Sequence, residues 1–193
     1  QPLGPEKSAG GIIAHAFDIY KGVFLYAIVA VLISSAVSFL VQPISGFNSA
    51  DLMGEMKDTG DSLPNFWAIP GFAFYSGLSA LVSLLATPLY VGVIYIANKY
   101  NLQEPISFSD LFIGYRQNFL NIILYSLVAG ILITIAMAMC FLPVFLVFPL
   151  LLLGYPILLF ENATVSQAFS KSFAIAKDNY GTFLGTSVLG FLI

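Results

Sequence analysis

Charge is what this sequence has least of. Asp, Glu, Lys and Arg together make up 9% of its 193 residues, against roughly 25% in a typical soluble domain. That is too little to cover a water-facing surface, so an ordinary soluble globule is excluded. With 59% hydrophobic residues, a disordered chain is excluded as well. The net charge of −3 excludes a general nucleic-acid binder, which needs a basic footprint. One cysteine, Cys140, forms no intrachain disulfide and fits no metal spacing. One histidine, His15, builds neither a metal site nor a triad. A phosphate-cradling glycine loop, a paired-cysteine motif and a serine-nucleophile elbow are all missing. The expectation is a chain without catalytic residues, cofactor or metal.

What the sequence has is apolar length; its mean hydropathy is +0.91. Uncharged stretches separate Lys21 from Asp51 (29 residues), Asp61 from Lys99 (37) and Arg116 from Glu161 (44). A bilayer core about 30 Å thick needs about 20 apolar helical residues at 1.5 Å each. The first stretch fits one span, Gly22 to Val41, with a turn at Gln42-Pro43. It is too long for a signal-peptide core and reads as a retained helix. The second fits one long span, Gly71 to Asn98. The third would make a helix of about 66 Å, so it must fold back. Two spans are placed there, Asn118 to Met139 and Leu142 to Phe160, with the turn near Cys140-Pro143. The last apolar segment, Gly181 to Ile193, reaches only about 20 Å, so it is read as a truncated fifth span.

The charges sort by side. Lys7, Lys21, Lys99, Arg116, Lys171 and Lys177 fall on one face of this threading. The Gln42–Pro70 loop holds only Lys57 against Asp51, Glu55, Asp58 and Asp61. The positive-inside rule then puts the N-terminus in the cytoplasm. Phe47, Phe66 and Trp67 in the outer loop suit either headgroup anchoring or packing of the loop itself.

A short pattern recurs: an aromatic, three residues, a base, two residues, an aromatic. It occurs as Phe17-Lys21-Phe24, Phe112-Arg116-Phe119 and Phe173-Lys177-Tyr180. Each closes a stretch of helical periodicity, and Ser107/Asp110 and Thr164/Gln167 resemble capping boxes. These residues are the expected membrane-interface anchors, on amphipathic helices whose bases snorkel to phosphates. The fold class is then an all-α membrane protein: helical hairpins with cytoplasmic interfacial amphipathic helices, four complete spans plus a truncated fifth. The natural protein would have about six. Residues 1–193 are expected to form a single transmembrane domain, incomplete at its C-terminus, in units of about 1–98, 99–162 and 163–193.

No Asp, Glu, Lys, Arg or His falls inside the four complete spans. Such residues cost about 3 kcal/mol to insert and mark proton relays, ion paths and voltage sensors. Their absence argues against proton-coupled transport and intramembrane hydrolysis. Small polar residues are present instead. Ser76, Ser79, Ser83 and Thr87 run along the second span, either as a polar seam lining a solute path or as a close-packing face. Pro88, Pro149 and Pro156 are expected to kink or break their helices, and Gly154 to add flexibility.

From Thr87 onward the order of motifs resembles a known group. Thr87-Pro88-Leu89-Tyr90-Val91-Gly92 is followed by Ser107-Phe108-Ser109-Asp110-Leu111-Phe112. Tyr155-Pro156-Ile157-Leu158-Leu159-Phe160-Glu161 and Ala168-Phe169-Ser170-Lys171-Ser172 come later. This resembles a broad bacterial family of polytopic membrane proteins of unknown function. It includes the membrane domain beside some glycerophosphodiester phosphodiesterases and relatives often mislabelled beta-carotene monooxygenase. The resemblance implies about six spans, a bacterial inner membrane and no catalytic residues to carry over. Two functions are compatible with the sequence. One is a non-catalytic subunit, scaffold or anchor whose partners are the lipid bilayer and another membrane protein or itself. The alternative is a permease or lipid-handling protein for an uncharged or amphipathic molecule, with a cavity lined by Ser79, Ser83 and Thr87.

Overall fold

In lipid a backbone must satisfy its own hydrogen bonds, and the uncharged stretches do so as helices. A computed structural model describes residues 8–58, 65–139 and 142–192. They form helices and turns, with no strand among the described residues. The elements are α1 (Ala9–Ser45), α2 (Ser49–Asp58), α3 (Phe72–Asn101), α4 (Ile113–Arg116), α5 (Phe119–Ala138), α6 (Leu142–Phe160), α7 (Val165–Asp178) and α8 (Tyr180–Leu192). Short 3-10 turns occupy Phe66–Ala68 and Phe108–Phe112. Among the described residues α1, α3 and α5 are long and apolar enough to cross a membrane. The 19 residues of α6 include no charged side chain.

Three boundaries differ from the sequence reading. The stretch before the first span is not a separate helix: α1 runs unbroken for 37 residues, about 56 Å. Gly22 does not interrupt it, because the Tyr100 ring fills the place of its missing Cβ. Nor does α1 stop at Gln42-Pro43. Pro43 is accommodated in its last turn, and the chain leaves the helix at Gly46 with φ 69°, the left-handed conformation glycine adopts at helix ends. Ser45 closes that end, its hydroxyl donating to Gln42 O at 2.8 Å and accepting from Phe47 N–H. Finally, the acidic loop contains a helix, α2. Asn48 caps it by accepting from Ala50 N–H, Asp51 lies in its first turn and Lys57 in its last, each suited to the helix dipole. Of the expected turn near Cys140-Pro143, residues 140–141 lie outside the described residues and 142–143 already belong to α6.

Contacts divide the chain into two compact units, Val31–Ala86 and Gln1–Ala30 with Thr87–Ile193. Inside the first, Phe47 is buried and packs its ring on Phe72 and Tyr75, while Phe66 and Trp67 pack on Phe72. Gly71 has φ 75° because its α-carbon stands against the backbone of Ser45 to Phe47, where a side chain has no room.

The core of the second unit is the α5–α6 hairpin with α7 laid along it. Ile122, Tyr125, Leu151, Leu158, Leu159 and Ala168 are each 3% exposed or less. α3 contributes Pro88, Leu89, Val91, Gly92 and Ile96. Here backbone meets backbone: a Cβ on Gly92 would strike the Leu111 carbonyl, and one on Gly114 the Pro88 carbonyl. α3 and α6 run through Pro88 and Pro156 without a break.

Candidate functional site

The segment after α3 was expected to be an amphipathic helix; it is instead a 3-10 turn, then the four residues of α4, then a reversal at Asn118. In this arrangement the Leu111 backbone rests on Gly92 and Gly114 rests on the Pro88 carbonyl. The Ser107/Asp110 capping box forms as read from the sequence. Asp110 also takes a 2.9 Å bond from Lys99 Nζ, with both side chains largely shielded. Burial works against the Asp110 carboxylate, but the Ser107 N–H and the Lys99 ammonium outweigh it and hold its pKa below the ordinary value. Phe108, Phe112, Tyr115 and Phe119 form a ladder of ring contacts 5.8–6.2 Å apart. Phe112 and Phe119 are therefore in line, with Arg116 exposed beside them. In the first repeat Phe17, Lys21 and Phe24 are exposed, Lys21 pairing with Asp18 and Phe24 with Tyr20.

Asn118 sits at φ 55° and ties the hairpin shut. Its amide donates to Leu158 O and Ala163 O, both at 2.8 Å, and Gln117 donates to Leu159 O at 3.0 Å. These are carbonyls at and just past the end of α6, which no helical N–H can reach.

Deeper in the hairpin is a compact polar group. Tyr125 is fully buried and donates to Leu151 O at 2.8 Å. Its ring packs on Phe169 at 4.5 Å and on Tyr155 at 5.2 Å. Tyr155 donates to Ser126 Oγ, and Ser126 donates to Ile122 O. Gly154, expected to add flexibility, instead provides space: a Cβ there would overlap the Tyr125 hydroxyl and ring. Ser172 Oγ is buried beside that hydroxyl, whose oxygen can still accept a hydrogen bond while its proton goes to Leu151 O.

α7 starts at the Thr164/Gln167 capping box, as expected. It presents Ala168, Ser172 and Ala176 to the hairpin, a small-residue face that lets helices approach closely. It climbs from Ala163, at the Asn118 end, toward the opposite end of α5, so Lys177 does not lie at the Arg116 end of the hairpin where the charge sorting had put it. Phe173 and Tyr180 are therefore exposed rather than packed on the hairpin. With Lys177 they line a cleft of about 600 Å³ between α5, α6, α7 and α8. Its other walls are apolar, among them Leu132, Ile135, Val147 and Leu184, and its floor is Leu151 and Phe169, the residues that hold Tyr125.

Ser76, Ser79 and Thr87 are half-buried on α3 and Ser83 is exposed; none lines this cleft. The cleft and the Tyr125 group were missed in the sequence. No spacing links residues 125, 154 and 172, although Ser172 stood in a quoted motif and Gly154 directly before one. Among the described residues no group of three His, Cys, Asp or Glu could hold a metal ion.

Together these features define an all-helical protein with, among the described residues, three helices suited to crossing a membrane, and so to contact with a lipid bilayer. Compared with known proteins, the chain matches no family model, no curated protein and no solved structure.

Proposed function

We propose that the chain is a multi-pass protein of a bacterial cytoplasmic membrane, crossing with α1, α3, α5 and α6 and with its N-terminus in the cytoplasm. In this reading it serves, without chemistry of its own, as a subunit, scaffold or anchor of a membrane complex. The observation that carries the proposal is the outward apolar surface of its long helices, where Leu25, Phe39 and Leu120 are each at least 68% exposed. Such surface belongs against lipid or another protein. The buried polar groups support a structural role: Tyr125, Ser126, Gln117 and Asn118 all bond to backbone carbonyls. The resemblance to the bacterial membrane family fits the same reading. Purification in mild detergent tests it: a stoichiometric membrane-protein partner or a homo-oligomer is expected, and a lone monodisperse monomer refutes it. Orientation is tested by labelling Lys99→Cys and Lys57→Cys in intact cells, since reaction from the same side overturns the threading.

A second reading, lipid handling, is favoured by the cleft between α5 and α8. It predicts that the purified protein retains lipid through delipidating washes.

A further inference from the structure

The cleft has a chemical polarity. Its walls are almost wholly aliphatic and aromatic, and Lys177 is the one charged side chain on its lining. No hydrogen bond or ion pair engages that ammonium among the described residues, whereas Lys21, Lys99 and Lys171 each have an acidic partner. Its volume, about 600 Å³, falls in the range of about 300–1,000 Å³ that encloses a small-molecule ligand. The complement of such a surface is a molecule apolar along its length and anionic at one end.

We propose that the cleft holds one acyl chain of an anionic phospholipid whose phosphate pairs with Lys177. The inference rests on the lipid-handling reading and adds the headgroup class and the residue that selects it. Lipid tails are as apolar as leucine, so the walls admit any acyl chain and discriminate little among lipids. Selection falls to the cation, and one lysine beside an anionic lipid is worth about fivefold in affinity. The position of Lys177, beside Ile135 and Met139 rather than beside Asn118, places that headgroup in the leaflet at the far end of the hairpin.

Native mass spectrometry of the full chain in mild detergent tests this, with phosphatidylglycerol, phosphatidylcholine or oleate added singly. Phosphatidylglycerol is expected to be retained about fivefold better than phosphatidylcholine. Lys177→Gln should abolish the preference, and Lys171→Gln, at a cation already paired with Glu161, should leave it intact. Leu132→Trp, on a half-exposed wall position, should reduce retention of both phospholipids; circular dichroism confirms that each variant is folded. Equal retention of the two phospholipids, or a preference that survives Lys177→Gln, overturns the headgroup assignment and leaves lipid handling standing. Stronger retention of oleate overturns the phospholipid in favour of a free fatty acid. Retention of no lipid, or a dimer that excludes lipid from the cleft, overturns this inference and the lipid-handling reading together.

Discussion

Gly154→Ala is a test in which two physical arguments give opposite signs. Helix propensity alone favours alanine over glycine by about 0.5–1 kcal/mol in a helix interior. The structure opposes it, because the new methyl would occupy the position of the Tyr125 hydroxyl and ring. That ring has no easy retreat: it is fully buried, wedged between Tyr155 and Phe169, and bonded to Leu151 O. Overpacking costs about 1–3 kcal/mol. If the ring shifts as well, the buried Tyr125 hydroxyl loses its acceptor, for about 1–3 kcal/mol more. After the propensity gain, about 1–5 kcal/mol of destabilisation remains. At about 2–4 °C per kcal/mol for a chain of this size, the melting temperature should fall by several degrees in detergent, followed by circular dichroism. Gly130→Ala is the control: nothing lies within 4 Å of a Cβ there, so the same change on α5 should be neutral or stabilising. Tyr125→Leu should relieve Gly154→Ala, making the double variant less destabilised than the singles add up to. A Gly154→Ala protein as stable as the parent would refute the packing described for this hairpin.

Three further predictions follow from the same geometry. Because the Asp110 pKa is depressed on folding, its contribution is present above the ordinary carboxylate pKa of about 3.9 and fades as pH falls through that value toward the folded one. Denaturant titrations between pH 7 and pH 3 should show this loss in the parent and a smaller one in Asp110→Asn. Asn118→Ala leaves the Leu158 and Ala163 carbonyls without their side-chain donor and puts alanine at φ 55°, so a loss of about 2–4 kcal/mol is expected in dodecyl sulfate unfolding. Asn118→Gly keeps the backbone and should lose less. Gly92→Ala meets the Leu111 carbonyl, a backbone atom that cannot rotate away, so it should cost about 3 kcal/mol or more and expose the 108–116 segment to proteolysis; unchanged protease resistance would contradict the close approach.

How legible the fold was depended on the kind of signal. Charge gaps marked α3, α5 and α6 to within a few residues, because apolar length is a property of contiguous sequence. Capping boxes at Ser107 and Thr164 were equally readable, since donor and acceptor lie three residues apart. The failures were contacts between distant segments. Nothing near Gly92 announces that Leu111 will rest on it, in a 3-10 turn where an amphipathic helix was expected. The packing face of α7 was not picked out either: it is built of the small Ala168, Ser172 and Ala176, while Phe173 and Tyr180 stay exposed. α2 was legible and overlooked: Asn48, Asp51 and Lys57 are ordinary start and stop signals.

The amide of Asn118 reaches carbonyls that are synthesised 40 and 45 residues after it. Until those residues emerge, the start of α5 has no latch. The latch therefore cannot close until the end of α6 has been made and has folded back beside the start of α5. A ribosome stalled before Ala163 should leave α5 free to slide in register, and release of the stall should lock both helices in one step.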